Sequence, residues 1–154
     1  MLKNRYFVDF IATVMFFTRI PIKWKFFSDK APDLTRAAWA FPLVGYLIGI
    51  LSGIFGDICL FLGLPTFLSC VIAIVFGIII TGAIHEDGLA DTADGLGVNG
   101  TPERVNKIMH DSRLGTYGVI ALILGLLTRL GLMIFLVDLG YSLVIILSAG
   151  FASG

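Results

Sequence analysis

Three long apolar runs constrain this chain more than any other feature of its sequence. Residues 37–56 and 64–84 contain no charged side chain, and residues 114–137 contain only Arg129. A helix needs about 20 mostly apolar residues to cross the hydrocarbon core of a bilayer, and each run has that length. The sequence therefore predicts an all-α fold, a polytopic transmembrane helical bundle.

Two shorter apolar segments lie outside these spans. Residues 6–20 are interrupted by Asp9, and no signal-peptide cleavage site follows them. We expect an interfacial or re-entrant helix in this segment. Residues 139–154 are apolar but too few for a complete span, so they predict a partial span and a bundle that is incomplete at its C-terminus.

The composition agrees with a bilayer as the main solvent. The chain of 154 residues is 57% hydrophobic and 14% charged, whereas soluble domains are about 25% charged. So little polar surface cannot cover a soluble fold in water. The composition excludes a disordered chain, a disulfide scaffold and an ordinary nucleic-acid-binding protein, so the expected partner is the lipid bilayer and not a nucleic acid.

The charged residues are concentrated in two zones. Seven of the 11 basic residues precede position 40, and three more lie within residues 85–113 together with six acids. Two predicted spans separate the zones, so both lie on one side, which the positive-inside rule makes cytoplasmic. The sequence thus predicts one membrane domain over residues 1–154 with a cytoplasmic acidic loop at 85–113.

Small residues and one arginine mark faces within the spans. Gly45, Gly49 and Gly53 recur every fourth residue, which predicts a face where another helix packs closely. Arg129 lies inside the third span, where a charged side chain is costly and is a candidate for function. The structural alternative is that Arg129 pairs with a carboxylate or a carbonyl of a neighbouring helix.

The acidic zone begins directly after the second apolar run. Asp87, Asp91 and Asp94 are spaced i, i+4 and i+7, so on a helix they share one side and repel each other. A divalent cation would remove this repulsion, and hard oxygen ligands favour magnesium, manganese or calcium. Because magnesium usually binds one or two carboxylates and completes its shell with water and phosphates, the pattern indicates chemistry on phosphate esters. A solvated acidic segment remains the alternative.

A second polar element precedes the third span. Arg113 is a candidate phosphate ligand, and Asp111 is a candidate metal ligand or base. Gly115 and Gly118 would let the backbone approach a ligand closely. Between the two polar elements, the sequence predicts a short helix after Thr101. Arg104 and Lys107 on this helix are further candidate phosphate contacts. The alternative is that they are surface charges that only set the membrane topology.

Four motifs together resemble one family of membrane enzymes. They are H-E-D-G-L-A-D-T-A-D-G at 85–95, D-S-R-L-G-T-Y-G at 111–118, F-F-T-R-I-P at 16–21 and F-P-L-V-G at 41–45. In this order they closely resemble the N-terminal portion of cobalamin synthase, also called adenosylcobinamide-GDP ribazoletransferase. Members of that family are longer than this chain, which makes the activity of this portion alone an open question.

The resemblance implies a magnesium-dependent transferase of the bacterial or archaeal inner membrane. The adenosylcobinamide phosphate group would pass from adenosylcobinamide-GDP to α-ribazole or its 5′-phosphate, with release of GMP. The implied Mg²⁺ ligands are Glu86, Asp87, Asp91 and Asp94. The implied catalytic residues are Asp91, Asp94, Asp111 and Arg113, and the implied phosphate contacts are Arg113, Arg104 and Lys107.

Three other interpretations stay open at this point. A CDP-alcohol phosphotransferase also uses an Asp-Gly motif at a membrane surface. That family has an Ala-Arg pair after its first Asp-Gly, whereas here Ala90 is followed by Asp91. A cation transporter subunit would use the carboxylates as an ion site, although such sites usually lie near the middle of the bilayer. A catalytically inert membrane segment is the third interpretation.

Overall fold

The computed structural model describes residues 4–26, 31–98, 101–109 and 113–153, and within them it contains α-helices, short 3₁₀ turns and no strand. The α-helices are α1 (Arg5–Phe17), α2 (Leu34–Ala37), α3 (Phe41–Phe61), α4 (Thr66–Thr81), α5 (Ile84–Gly97), α6 (Pro102–Met109), α7 (Thr116–Asp138) and α8 (Leu143–Ser153). The predicted all-α class is confirmed for this part of the chain.

Two helical segments are long and apolar enough to cross a bilayer. They are Leu34–Phe61, which ends with α3, and Thr116–Asp138, which is α7. Helix α4 has 16 residues and meets the same criterion only together with α5, as a pair bent by 87°. Such a pair is either a broken span or a re-entrant segment. The described residues of this helical membrane protein therefore contain two, or at most three, segments long and apolar enough to cross a bilayer.

Helices α3 and α8 pack against each other through the predicted glycine face. A methyl group added at Gly45, Gly49 or Gly53 would overlap the backbone of α8, at Phe151, Leu147 and Val144 respectively. Only residues without a Cβ allow two helix backbones to approach this closely. The prediction of a packing face is confirmed, and its partner is α8.

An aspartate at the end of this interface holds the start of α8. The Asp57 carboxylate accepts a hydrogen bond from the Leu143 backbone N–H at 2.8 Å and another from the Val144 N–H at 3.2 Å. The first N–H groups of a helix have no partner within the helix, and a carboxylate there also interacts favourably with the helix dipole. Asp57 therefore fixes α8 to α3 at the end opposite Phe151.

The apolar core lies where α4, α7 and α8 meet. It is formed by Cys70, Ala73, Ile74, Met133, Leu143 and Leu147. Both cysteines are buried and free, as expected for small apolar side chains.

The chain turns sharply between α4 and α5. Helix α4 ends at Thr81, and both following residues have left-handed backbone conformations, Gly82 with φ of 67° and Ala83 with φ of 64°. A left-handed conformation is ordinary for glycine but costs an alanine about 1 kcal/mol. This turn starts α5 in a direction 87° from α4.

The segment predicted as an acidic loop is mostly helical. Helix α5 covers Ile84–Gly97 and α6 covers Pro102–Met109. The repulsion expected among the aspartates does not unfold α5, because α5 packs along α7 and tertiary contacts supply most of a helix's stability in proteins. The short helix expected after Thr101 is present as α6.

Candidate active site

Helix α5 packs antiparallel to the N-terminal half of α7. Glu86, near the start of α5, lies beside Arg129 in the middle of α7, whereas Asp94, near the end of α5, contacts Gly118 in the first turn of α7. Between these contacts, Leu89 lies against Gly125. The arrangement brings the 85–95 motif and the 111–118 motif together, although 20 residues separate their contact points in the sequence.

Asp94 joins the two motifs directly. Its carboxylate accepts a hydrogen bond from the Gly115 N–H at 2.7 Å and one from the Gly118 N–H at 2.8 Å. The side chain is buried, with 8% of the residue exposed. A methyl group at either glycine would overlap the carboxylate. The sequence predicted that these glycines admit a ligand, and in the structure the group they admit is the Asp94 side chain.

Asp87 and Asp91 lie one turn apart on α5, before Asp94, and α7 does not bury them as it buries Asp94. Asp87 is exposed and Asp91 is half-buried. No hydrogen bond or ion pair to their carboxylates is found within the described part of the chain. In that same part, no three His, Cys, Asp or Glu side chains lie close enough together to hold a metal ion by themselves. The assignment of Glu86, Asp87, Asp91 and Asp94 as joint metal ligands stays a prediction.

Glu86 and Arg129 form an ion pair between α5 and α7. The distance from Glu86 Oε1 to Arg129 Nη1 is 3.8 Å, and Glu86 Oε2 is buried without a hydrogen-bond partner among the described residues. The Arg129 guanidinium also lies over the Phe151 ring, 4.8 Å from its centroid. The structural alternative for Arg129 is therefore confirmed, because Arg129 pairs with a carboxylate of a neighbouring helix. The pair borders an apolar cavity of about 370 Å³.

The predicted phosphate contacts lie near the start of α7 and on α6. Arg113 is exposed, two residues before Gly115, and Lys107 is exposed in the last turn of α6. The side chain of Arg104 and the whole of Asp111 lie outside the described residues. One predicted phosphate ligand, Arg113, thus lies two residues along the chain from Gly115, where the motifs meet.

The N-terminal motif packs on the turn between α4 and α5. The Phe17 ring stacks on the His85 imidazole with centroids 5.7 Å apart, and it meets the Phe41 ring edge-on at 4.9 Å. The Arg19 backbone N–H donates to the Ile80 carbonyl at 2.8 Å. Three of the four sequence motifs therefore meet at this turn.

The sequence interpretation missed the role of Asp9. Asp9 is buried, with 3% exposed, and accepts hydrogen bonds from Arg36 Nε at 2.9 and 3.1 Å and from Arg36 Nη2. These bonds hold the pKa of the Asp9 carboxyl below its usual range, although burial acts in the opposite direction. An acid within the apolar run 6–20 was the available signal, because a buried carboxylate requires a partner.

Fold and site together define a helical membrane protein in which an acidic helix is held against the start of a span. The profile of the cobalamin-5-phosphate synthase family matches residues 9–153. The chain belongs to this family.

Individual relatives agree with this assignment. The adenosylcobinamide-GDP ribazoletransferase of Azorhizobium caulinodans is 41% identical over 135 residues, which cover 86% of this chain and 51% of the relative. The protein of the same name from Xanthobacter autotrophicus is 45% identical over 124 residues, 79% of this chain and 47% of the relative. That from Bradyrhizobium diazoefficiens is 47% identical over 118 residues, 75% and 44% of the two chains.

The chain spans about half the length of the curated relatives it matches. No solved structure matches it.

Proposed function

We propose that this chain carries the phosphate-transfer site of an adenosylcobinamide-GDP ribazoletransferase. The adenosylcobinamide phosphate group would pass from adenosylcobinamide-GDP to α-ribazole or its 5′-phosphate, and GMP would leave. The observation that carries the proposal is the direct contact of the two polar family motifs, through Asp94 on α5 and the backbone of Gly115 and Gly118 on α7.

Two of the four acids of α5 fit a magnesium ion better than all four together. Mg²⁺ commonly takes one or two protein carboxylates and fills its remaining positions with water and substrate phosphates. Asp87 and Asp91 offer two carboxylates one turn apart, at least one of them open to solvent. We therefore propose Asp87 and Asp91 as the direct ligands among the four predicted acids, since Glu86 and Asp94 have partners on α7.

The chain's own residues then have distinct tasks in the transfer. A hydroxyl of α-ribazole attacks the phosphorus bonded to cobinamide, a new P–O bond forms, and the P–O bond to GMP breaks. Arg113 binds the phosphate oxygens, and Asp111, the candidate base named in the sequence analysis, accepts the hydroxyl proton. Lys107 and Arg104 supply further positive charge for the nucleotide phosphates. When bound, Mg²⁺ would neutralise charge that develops on the phosphate oxygens.

The site would face the cytoplasm of the bacterial or archaeal inner membrane. The basic residues that precede position 40 and the motifs at 85–118 are separated by two predicted spans, and the positive-inside rule places such basic zones in the cytoplasm. Charged nucleotide substrates would reach the site from that side.

A transfer assay tests the proposed function. The chain in membrane vesicles is incubated with adenosylcobinamide-GDP, α-ribazole and Mg²⁺, and GMP and the cobamide product are measured by mass spectrometry. We expect product from the wild-type chain and a loss of about 100-fold or more in Asp91→Asn. Asp138→Asn, an exposed aspartate at the other end of α7, is the matched control and should retain full activity.

The assay includes the Xanthobacter relative as a positive control. Product from the relative and none from this chain would contradict the proposal for this chain. Product that persists after chelation of Mg²⁺ would contradict the metal requirement, and unchanged activity of Asp91→Asn would contradict its assigned role.

A further inference from the structure

The three aspartates of the acidic motif are alike in sequence but lie in different surroundings. Asp87 is exposed and Asp91 is half-buried, whereas Asp94 is buried beneath the first turn of α7. Both oxygens of the Asp94 carboxylate accept a backbone hydrogen bond, one from Gly115 and one from Gly118. A hydrogen bond to an ionised group is among the stronger ones in proteins.

We propose that Asp94 is a positioning residue and not a metal ligand: its carboxylate clamps the start of α7 onto α5, so that Arg113 is held beside the face that carries Asp87 and Asp91. This inference rests on the proposed function for the roles of Asp87, Asp91 and Arg113. The clamp itself rests on geometry alone.

The reach of the chain connects the clamp to Arg113. Gly115 follows Arg113 by two residues, so their Cα atoms lie at most about 7 Å apart. Fixing the Gly115 N–H on Asp94 therefore confines the Arg113 backbone to the neighbourhood of α5. The first N–H groups of a helix have no partner within the helix. Without the clamp, two such groups at the start of α7 would lose the carboxylate that accepts their hydrogen bonds, and Arg113 would lose its fixed distance from α5.

Gly115 and Gly118 belong to the clamp because they leave room for the Asp94 carboxylate. A side chain at Gly115 or Gly118 would overlap the carboxylate of Asp94, and at Gly118 it would also approach the Ala90 carbonyl at 3.0 Å. The clamp predicts that an alanine at position 118 has the same effect as loss of the carboxylate. A role of Asp94 as metal ligand predicts no such equivalence.

The test compares Asp94→Asn, Gly118→Ala and the control Asp57→Asn in nanodiscs. Asp57 is a suitable control because its carboxylate also caps a helix with two hydrogen bonds, but at α8. The first measurement is hydrogen exchange of residues 115–120, which needs no substrate. The second is the transfer reaction, with KM for adenosylcobinamide-GDP and the Mg²⁺ concentration that gives half-maximal rate.

We expect exchange of residues 115–120 to accelerate about tenfold or more in Asp94→Asn and Gly118→Ala and to stay unchanged in Asp57→Asn. In the same two variants, kcat/KM should fall about 100-fold, since a small displacement of a positioned group has an effect of this size. The Mg²⁺ requirement should not change. Gly118→Ala keeps the proposal testable if Asp94→Asn does not fold.

Two results would overturn the clamp. One is a raised Mg²⁺ requirement in Asp94→Asn that Gly118→Ala does not share, which would make Asp94 a metal ligand. The other is unchanged hydrogen exchange at residues 115–120 in both variants. A wild-type chain that shows protected amides but no transfer would contradict the proposed function and leave the clamp supported.

Discussion

Two carboxylates in this molecule perform the same local task in different settings. Asp57 accepts hydrogen bonds from the first turn of α8, and Asp94 accepts them from the first turn of α7. Around Asp57 the interface is formed by the glycine face of α3 against the backbone of α8. Around Asp94 the interface is formed by the acidic motif on α5, whose Glu86 pairs with Arg129 on α7.

The difference shows how one interaction serves assembly at one end of the fold and a site at the other. At α3–α8, close backbone packing provides the stabilisation, and Asp57 fixes where α8 begins. At α5–α7, polar contacts hold the helices together, and Asp94 fixes the distance between two motifs. We therefore expect changes at the first interface to reduce stability alone, and changes at the second interface to reduce transfer as well as stability.

The largest effect on stability is expected for Gly53→Val. The added side chain would overlap the backbone of α8 at Val144, and neither backbone can yield without separating the helices. We expect a loss of about 3 kcal/mol in the free energy of unfolding, at the upper end for overpacked sites. Thermal unfolding in detergent checks this, with Gly131→Val on α7 as control, because no other helix of the described chain comes within 4 Å of a Cβ added at Gly131. Equal stability of the two variants would contradict the packing at α3–α8.

The next effect separates the two capping carboxylates. Asp57→Ala and Asp94→Ala should each lower the free energy of unfolding by about 2 kcal/mol, since each leaves two helix N–H groups without their charged partner. Only Asp94→Ala should also lower the transfer rate of the protein that remains folded. Equal transfer rates per folded molecule in both variants would remove the distinction between the interfaces.

A smaller effect is expected for the ion pair between α5 and α7. Glu86 and Arg129 approach to 3.8 Å, which is too long for a good hydrogen bond. A double-mutant cycle with Glu86→Gln and Arg129→Met should give a coupling energy of about 1 kcal/mol. A coupling energy near zero, measured by thermal unfolding in nanodiscs, would show that the pair does not hold the helices together.

The smallest effect is expected where a side chain, not a helix end, holds the carboxylate. Because Arg36 lowers the pKa of Asp9 in the folded state, this contribution to stability is present above the ordinary carboxyl pKa and is lost as pH falls through the lowered pKa. Asp9→Asn should therefore be less stable than wild type at pH 7, and the difference in Tm should shrink below about pH 4. A difference in Tm that is independent of pH would contradict the pairing.

The sequence predicted the helical membrane class and the glycine packing face because both depend on simple periodic patterns. The 85–95 motif identified the region of the candidate site because its residues are contiguous and can be recognised without knowing the fold. The partners of Asp57 and Asp94 could not be predicted, because each lies on another helix, 86 and 21 residues away at the nearest bond. Sequence spacing places the three aspartates on one side of α5 but cannot show that α7 covers only the last of them.

The most direct test of the divided roles within the motif measures metal binding without substrate. Mn²⁺, used in place of Mg²⁺, is titrated into the protein in nanodiscs, and free Mn²⁺ is followed by electron paramagnetic resonance. We predict that Asp87→Asn and Asp91→Asn weaken Mn²⁺ binding about tenfold or more, whereas Asp94→Asn and Asp57→Asn bind as wild type does. Weakened binding in Asp94→Asn, with unchanged binding in Asp87→Asn and Asp91→Asn, would contradict the assignment of the metal to the first two aspartates and of the clamp to the third.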